Sequence, residues 1–195
     1  MALPVRVTAP EVPPVTLDEI KRHLRIDHDD EDDLIGLYLD AAVGHLDGLS
    51  GTLTRCLVNQ VWRQDFHRFR HRFDLAFPNV SDASVAYLDA AGNDIATTHV
   101  WALQQDEGED AHVSLDVSAA APSGLETIRV TYTAGYGAIV EGEANPVPGP
   151  IRSAILLMVG DLYRFRETAE AGGAPSVQMS LTVERLLSPY RRHFL

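Results

Sequence analysis

Cysteine is almost absent. Cys56 is the only one in 195 residues, which rules out an intrachain disulfide and argues against a cysteine-built metal site. Folding in a reducing cytoplasm fits this. Lysine is equally scarce: of 16 basic residues only Lys21 is lysine, and 28 acids leave a net charge of −12. Proteins that hold duplex nucleic acid neutralise phosphates with clustered Lys and Arg, and this balance opposes that use. A negative wall repels phosphates and suits passage better than capture. No apolar run approaches the roughly 18 residues that a membrane span needs. The best candidate, residues 151–160, is interrupted by Arg152 and Ser153. Met1-Ala2-Leu3-Pro4 lacks a basic region followed by an apolar stretch, so no signal peptide is expected.

What is present is enough for a real core. The length suits one domain, or one core with an inserted subdomain, and 45% hydrophobic residues can fill it. Arginine favours planar, bidentate pairing with carboxylates, so the arginine excess reads as protein-contact chemistry. Genome base composition explains the excess equally well.

Pro4, Pro10, Pro13 and Pro14 make residues 1–15 an extended arm. Thr16 followed by Glu19 forms a capping box for a short helix over 17–24, with Leu17, Ile20 and Leu24 on one face. Residues 27–33 hold six acids in seven positions, which suits a helix N-terminus. The helix that follows runs to about residue 50, with Leu34, Leu37, Tyr38, Ala41, His45 and Leu49 expected as its apolar stripe. Gly36, Gly44 and Gly48 along it either admit a neighbouring helix or are tolerated surface glycines.

The pattern then changes. Short runs rich in aromatic and β-branched residues occupy 58–66, 73–77, 84–88, 99–103, 112–117 and 127–133, separated by Pro, Gly and Asn turn residues. They read as a small antiparallel β-subdomain. Pro150 can open a helix over 151–170, with Ile151, Ala154, Ile155, Met158, Leu162 and Phe165 on its broad face. Residues 171–175 break it. A last helix over 181–187 stops at Ser188-Pro189 and leaves a tail, 190–195. The fold class is therefore α+β: a helical core built from the N- and C-terminal parts (16–56 and 138–187), a β-insertion (57–137), and terminal extensions (1–15 and 188–195).

Motifs for chemistry fail their tests. A calcium loop starting at Asp27 needs Gly at Asp32 and Glu at Tyr38. His67 and His71 invite a zinc reading, but they lie in a strand or turn with no partner cysteine. Gly135-Tyr136-Gly137 begins like a dinucleotide fingerprint, yet Val140 stands where the third glycine belongs; a turn closing the strands is expected. No nucleophile elbow, Walker lysine or zinc-protease pair occurs. No cofactor, metal or catalytic residue is nominated. One local cluster stands out: Arg63, Arg68, Arg70 and Arg72 interleave with Trp62, Phe66, Phe69 and Phe73. Single-strand nucleic-acid sites combine these features; strands that bury the rings and offer arginines to neighbouring subunits do so too.

The order of segments resembles the head–tail connector (adaptor) family of tailed bacteriophages and phage-derived gene transfer agents. The likeness runs through Val15-Thr16-Leu17-Asp18-Glu19-Ile20-Lys21-Arg22-His23-Leu24-Arg25-Ile26-Asp27, Asp33-Leu34-Ile35 and Ala41-Ala42. It continues at Gln60-Val61-Trp62, Tyr87-Leu88-Asp89, Gly92, Val130-Thr131-Tyr132-Thr133-Ala134-Gly135-Tyr136-Gly137 and Pro150-Ile151-Arg152-Ser153-Ala154-Ile155. Leu187-Ser188-Pro189-Tyr190-Arg191 closes it. Residues 104–123 match nothing in the family. The resemblance implies a structural, non-enzymatic protein of the virion's head–tail interface, assembled in the bacterial cytoplasm without a membrane. It further implies a dodecameric ring between the portal protein and a tail or stopper protein, with DNA passing through its channel unspecifically. Candidate interface residues are Arg185, Tyr190, Arg191, Arg192 and Phe194 near the C-terminus, and Arg63, Arg68, Arg70 and Arg72. The competing reading is a nucleic-acid-binding or small-molecule-binding domain built on the Trp62 to Phe73 strands; a hydrolase has no motif support.

Overall fold

Alternating runs become strands through the middle of the chain, and the periodic runs at either end become helices. The computed structural model describes residues 3–105, 110–116, 118–165 and 180–192. They group into two units: Met1–Glu11 with Arg55–Ala138, and Val12–Thr54 with Ile139–Leu195.

The first unit holds β1 (Val5–Thr8), β2 (Gln60–Phe66), β3 (Arg72–Pro78), β4 (Val80–Leu88), β5 (Trp101–Gln104), β6 (Asp110–Leu115) and β7 (Thr127–Ala134). They form two antiparallel sheets, in the orders β1-β2-β7-β4 and β3-β6-β5. β7 shows why. Successive side chains on a strand point to opposite faces, so Ile128, Val130, Tyr132 and Ala134 are all buried while the residues between them stay half-exposed. Trp62 of β2 sits opposite Tyr132, and Val85 of β4 opposite Val130. Both sheets contribute to one core, where Trp62 and Phe77 approach with ring centroids 4.6 Å apart. Each large side chain buried there is worth roughly 1.5–3 kcal/mol.

Two features refine the expected strands. The ladder between β3 and β6 is irregular between Asp74 and Pro78. There the Ala76 N–H donates to Oε1 of the fully buried Gln64 at 2.9 Å, and the Tyr132 hydroxyl donates to the same oxygen at 2.8 Å. A polar side chain thus stitches the two sheets through the core. Asn79 takes a left-handed φ of 55° and turns β3 directly into β4, which starts at Val80 rather than 84. The expected arm is not wholly free: between Pro4 and Pro10, residues 5–8 keep their backbone donors and pair with β2 as an edge strand. Gly135 serves the predicted turn, with φ of 152° and its amide donating to the Asn79 carbonyl at 3.1 Å. A Cβ there would lie 2.5 Å from the Val58 carbonyl carbon.

The second unit holds α1 (Leu17–Leu24), α2 (Asp32–Leu46), α3 (Gly149–Arg164), α4 (Leu181–Leu187) and a 3-10 turn (Ser188–Tyr190). The capping box forms: the Glu19 amide donates to Thr16 Oγ1 at 3.2 Å and the Thr16 amide to Glu19 Oε2 at 2.8 Å. Pro150 lies in the first turn of α3, where its missing donor is harmless. α3 packs against α1, α2 and α4. Its Ile151, Ala154, Ile155 and Val159 are buried, Met158 and Leu162 are half-buried, and Phe165 is exposed. Residues 166–170 of the expected helix, and the break at 171–175, lie outside the described residues.

One expectation fails. The stripe of α2 is Ile35, Leu39, Ala42 and Leu46, not the row through Leu34, Leu37, Tyr38, Ala41, His45 and Leu49. Leu37 is 64% exposed and Leu49 lies beyond the helix end. Two rows of equal helical spacing share this helix, and the one whose members are all aliphatic, rather than the one carrying Tyr38 and His45, is buried.

Candidate functional site

The arginine-rich connection between β2 and β3 is built from the core outward. Phe66 and Phe73 close the ends of the two strands with ring centroids 4.7 Å apart. Between them Phe69 turns inward and meets His71, Tyr87 and His99 at 5.5, 6.5 and 6.1 Å. Burial pushes the Tyr87 hydroxyl up to about 12, and it shares a 2.8 Å hydrogen bond with His99 Nδ1. With the rings turned inward, Arg68, Arg70 and Arg72 are exposed and Arg63 is half-exposed.

All four arginines line one open groove of about 670 Å³. Its other walls are Leu3 and Val5 from the N-terminal segment, Phe66, Phe73, His67, Asp65 and Asp74. Asp65 is already held: the Arg129 guanidinium donates to both its oxygens, at 2.9 and 3.1 Å. That hydrogen-bonded pair, outweighing the opposing effect of burial, holds the Asp65 carboxyl below the usual carboxylate range. Arg63 stands 3.7 Å from Asp65, and Arg72 pairs with Asp74 at 2.7 Å. Arg68 and Arg70 make no ion pair among the described residues. Four arginines against two carboxylates make the groove locally positive on a chain of net charge −12.

The rings do not form a stacking platform. Trp62 and Phe73 are buried, and Phe66 and Phe69 pack against the core. Single-strand binding by base stacking requires open ring faces, and here exposed arginines cover a packed aromatic interior. His67 and His71 are not brought together as ligands: His71 Nε2 lies 3.0 Å from the Ala119 carbonyl, and His67 Nδ1 3.3 Å from Thr127 Oγ1. Among the described residues no group of His, Cys, Asp and Glu could hold a metal ion. The acidic run is engaged locally. Lys21 bonds Asp29 and also Asp32, the latter at 2.8 Å, and the Tyr163 hydroxyl donates to Glu31.

The C-terminal candidates belong to the helical unit. Arg185 is exposed on α4. Tyr190, Arg191 and Arg192 are half-buried, and Arg192 donates to the Thr54 carbonyl at 3.4 Å. The segment through Arg192 is therefore partly folded against its own unit rather than a loose tail. Phe194 lies outside the described residues. Sequence reasoning missed Leu3 and Val5 as groove walls, because pairing of β1 with β2 joins segments far apart in the chain; the alternation of exposed Val5 and Val7 was the available signal.

Known proteins bear on this geometry. Residues 14–70 match the family model described as phage gp6-like head-tail connector protein. In fold, the chain is similar to a chain in the neck of an empty GTA particle computed with C6 symmetry, with a TM-score of 0.76, 22% identity, and 99% of this chain and 97% of that one covered. It is similar also to a chain of the virion of a native gene transfer agent (GTA) particle, with a TM-score of 0.75, 22% identity and the same coverage. A chain in the neck of the native GTA particle computed with C12 symmetry gives a TM-score of 0.71, again at 22% identity and the same coverage. No curated protein matches the chain.

Proposed function

We propose that this chain, which matches the head–tail connector family over residues 14–70 and shares the fold of gene-transfer-agent neck chains, is a structural ring component of a phage-like particle. The observation that carries this reading is the likeness over 99% of the chain, both units included. In this role the protein joins the portal to a tail or stopper protein as a dodecameric ring and has no catalytic task. A head-to-tail contact closes into a ring when the rotation per subunit divides a full turn. Such a contact needs two different patches on one chain. The arginine groove supplies one, and aromatic and arginine anchors near the C-terminus supply chemistry for the portal: Arg185, Tyr190, Arg191, Arg192 and Phe194. The acidic surplus suits a channel that lets DNA pass without holding it.

The test is genetic and visual. Particles made without this chain should be filled heads lacking tails, and electron micrographs of purified chain with portal should show stacked rings. Normally tailed particles in its absence would overturn the proposal.

A further inference from the structure

Residues 140–143 form a hydrogen-bonded turn: the Glu143 amide donates to the Val140 carbonyl at 3.2 Å, with Gly142 at a left-handed φ of 84°. The turn presents an exposed Val140, 49% accessible, beside exposed Glu141 and Glu143. Neither glutamate makes an ion pair among the described residues. The arginine groove offers the converse: an apolar wall of Leu3, Val5 and Phe66, with Arg68 and Arg70 lacking carboxylate partners among the described residues.

We propose that the groove of one copy receives the turn 140–143 of the next copy, Val140 against the apolar wall and Glu141 and Glu143 on Arg68 and Arg70. This rests on the ring reading above and names its subunit contact. Three observations favour the occupant. Pairing groove to groove would set like charges against each other, which opposes a two-fold contact, whereas groove and turn are different patches, as a closed ring requires. The larger acidic run is a poorer partner, since Asp29 and Asp32 hold Lys21 and Glu31 accepts from Tyr163. The turn also combines carboxylates with an exposed apolar side chain, matching both parts of the groove, and its backbone hydrogen bond fixes its shape before contact.

The test uses the full chain and three variants: Arg68→Glu with Arg70→Glu, Glu141→Arg with Glu143→Arg, and all four together. Self-association is read by sedimentation and electron microscopy, and folding by circular dichroism. Each pair alone should raise the concentration for half-assembly by about a hundredfold, the scale of like-charge juxtaposition across an interface. The fourfold variant, with both signs reversed, should restore assembly. Rings that persist in either pair, or a folded fourfold variant that stays dissociated, overturn the contact while leaving the ring reading intact. A wild-type chain that never self-associates, alone or on portal, removes both. Retention of a single-stranded oligonucleotide at physiological salt, lost in Arg68→Glu with Arg70→Glu, would assign the groove to nucleic acid instead.

Discussion

Gln64 is fully buried between two sheets, and its side-chain oxygen accepts from both Ala76 N–H and Tyr132 hydroxyl. Its role is positional as much as energetic, because one atom ties the irregular stretch of β3 to the β2–β7 pair. Gln64→Leu keeps the volume but removes both acceptor contacts. It should cost about 1–3 kcal/mol, read as a lowered urea midpoint. Acid should destabilise the fold through two other residues. At Glu19, burial acts to raise the carboxyl, but the Thr16 amide and the Arg152 charge and hydrogen bond outweigh it and bring it below its ordinary value. At Asp65 the bond from Arg129 does the same. Both folded values lie below the unfolded ones, so this stabilisation is complete above the unfolded carboxylate range and is lost as pH falls through the folded values. Melting temperatures should therefore hold near neutrality and drop below about pH 4. Glu19→Gln with Asp65→Asn should flatten that drop.

The helices and strands were largely legible because local rules set them. The capping box at Thr16 and Glu19, proline in the first turn of α3, and the alternation of β7 each depend on neighbours a few residues away. What could not be read depends on distant partners. The α2 stripe was misassigned since both Leu34-Leu37-Ala41 and Ile35-Leu39-Ala42 satisfy helical spacing, and only contact with α3 selects between them. β1 was hidden by its flanking prolines, since the alternation of Val5 and Val7 with Arg6 and Thr8 is only four residues long. The division of the strands into two sheets, with β3 and β4 on either side of Asn79 in different sheets, is something no periodicity records. The arginine cluster was visible in sequence, but its apolar wall was not. The α3 face was read correctly at Ile155, which is fully buried. Ile155→Asp places a charge there without a partner and should cost on the order of 3–5 kcal/mol, seen as lost helical circular dichroism. An unchanged melt would refute the packing of α3 against α1, α2 and α4.

At the scale of the whole molecule, truncation at the C-terminus tests folding and the proposed attachment separately. A chain ending at Arg192 keeps the donation to Thr54 and should melt like the full protein. If Phe194 anchors the portal, that chain should also fail to join portal-bearing heads in a pull-down. Removing 190–195 should lower the melting temperature as well, because Tyr190, Arg191 and Arg192 are half-buried. The two units have a further consequence. Each is made of two separate stretches of chain, and the polypeptide crosses between them at 11–12, 54–55 and 138–139. On the ribosome, α1 and α2 emerge early, yet α3, against which both pack, is not complete until residue 164 has been added. β1 and β2 likewise wait for β7. The first unit can close once residue 138 exists, but the helical unit cannot finish before α4, so a nascent chain stalled before α3 should pair a closed strand unit with open helices that proteases cut easily and holding chaperones bind.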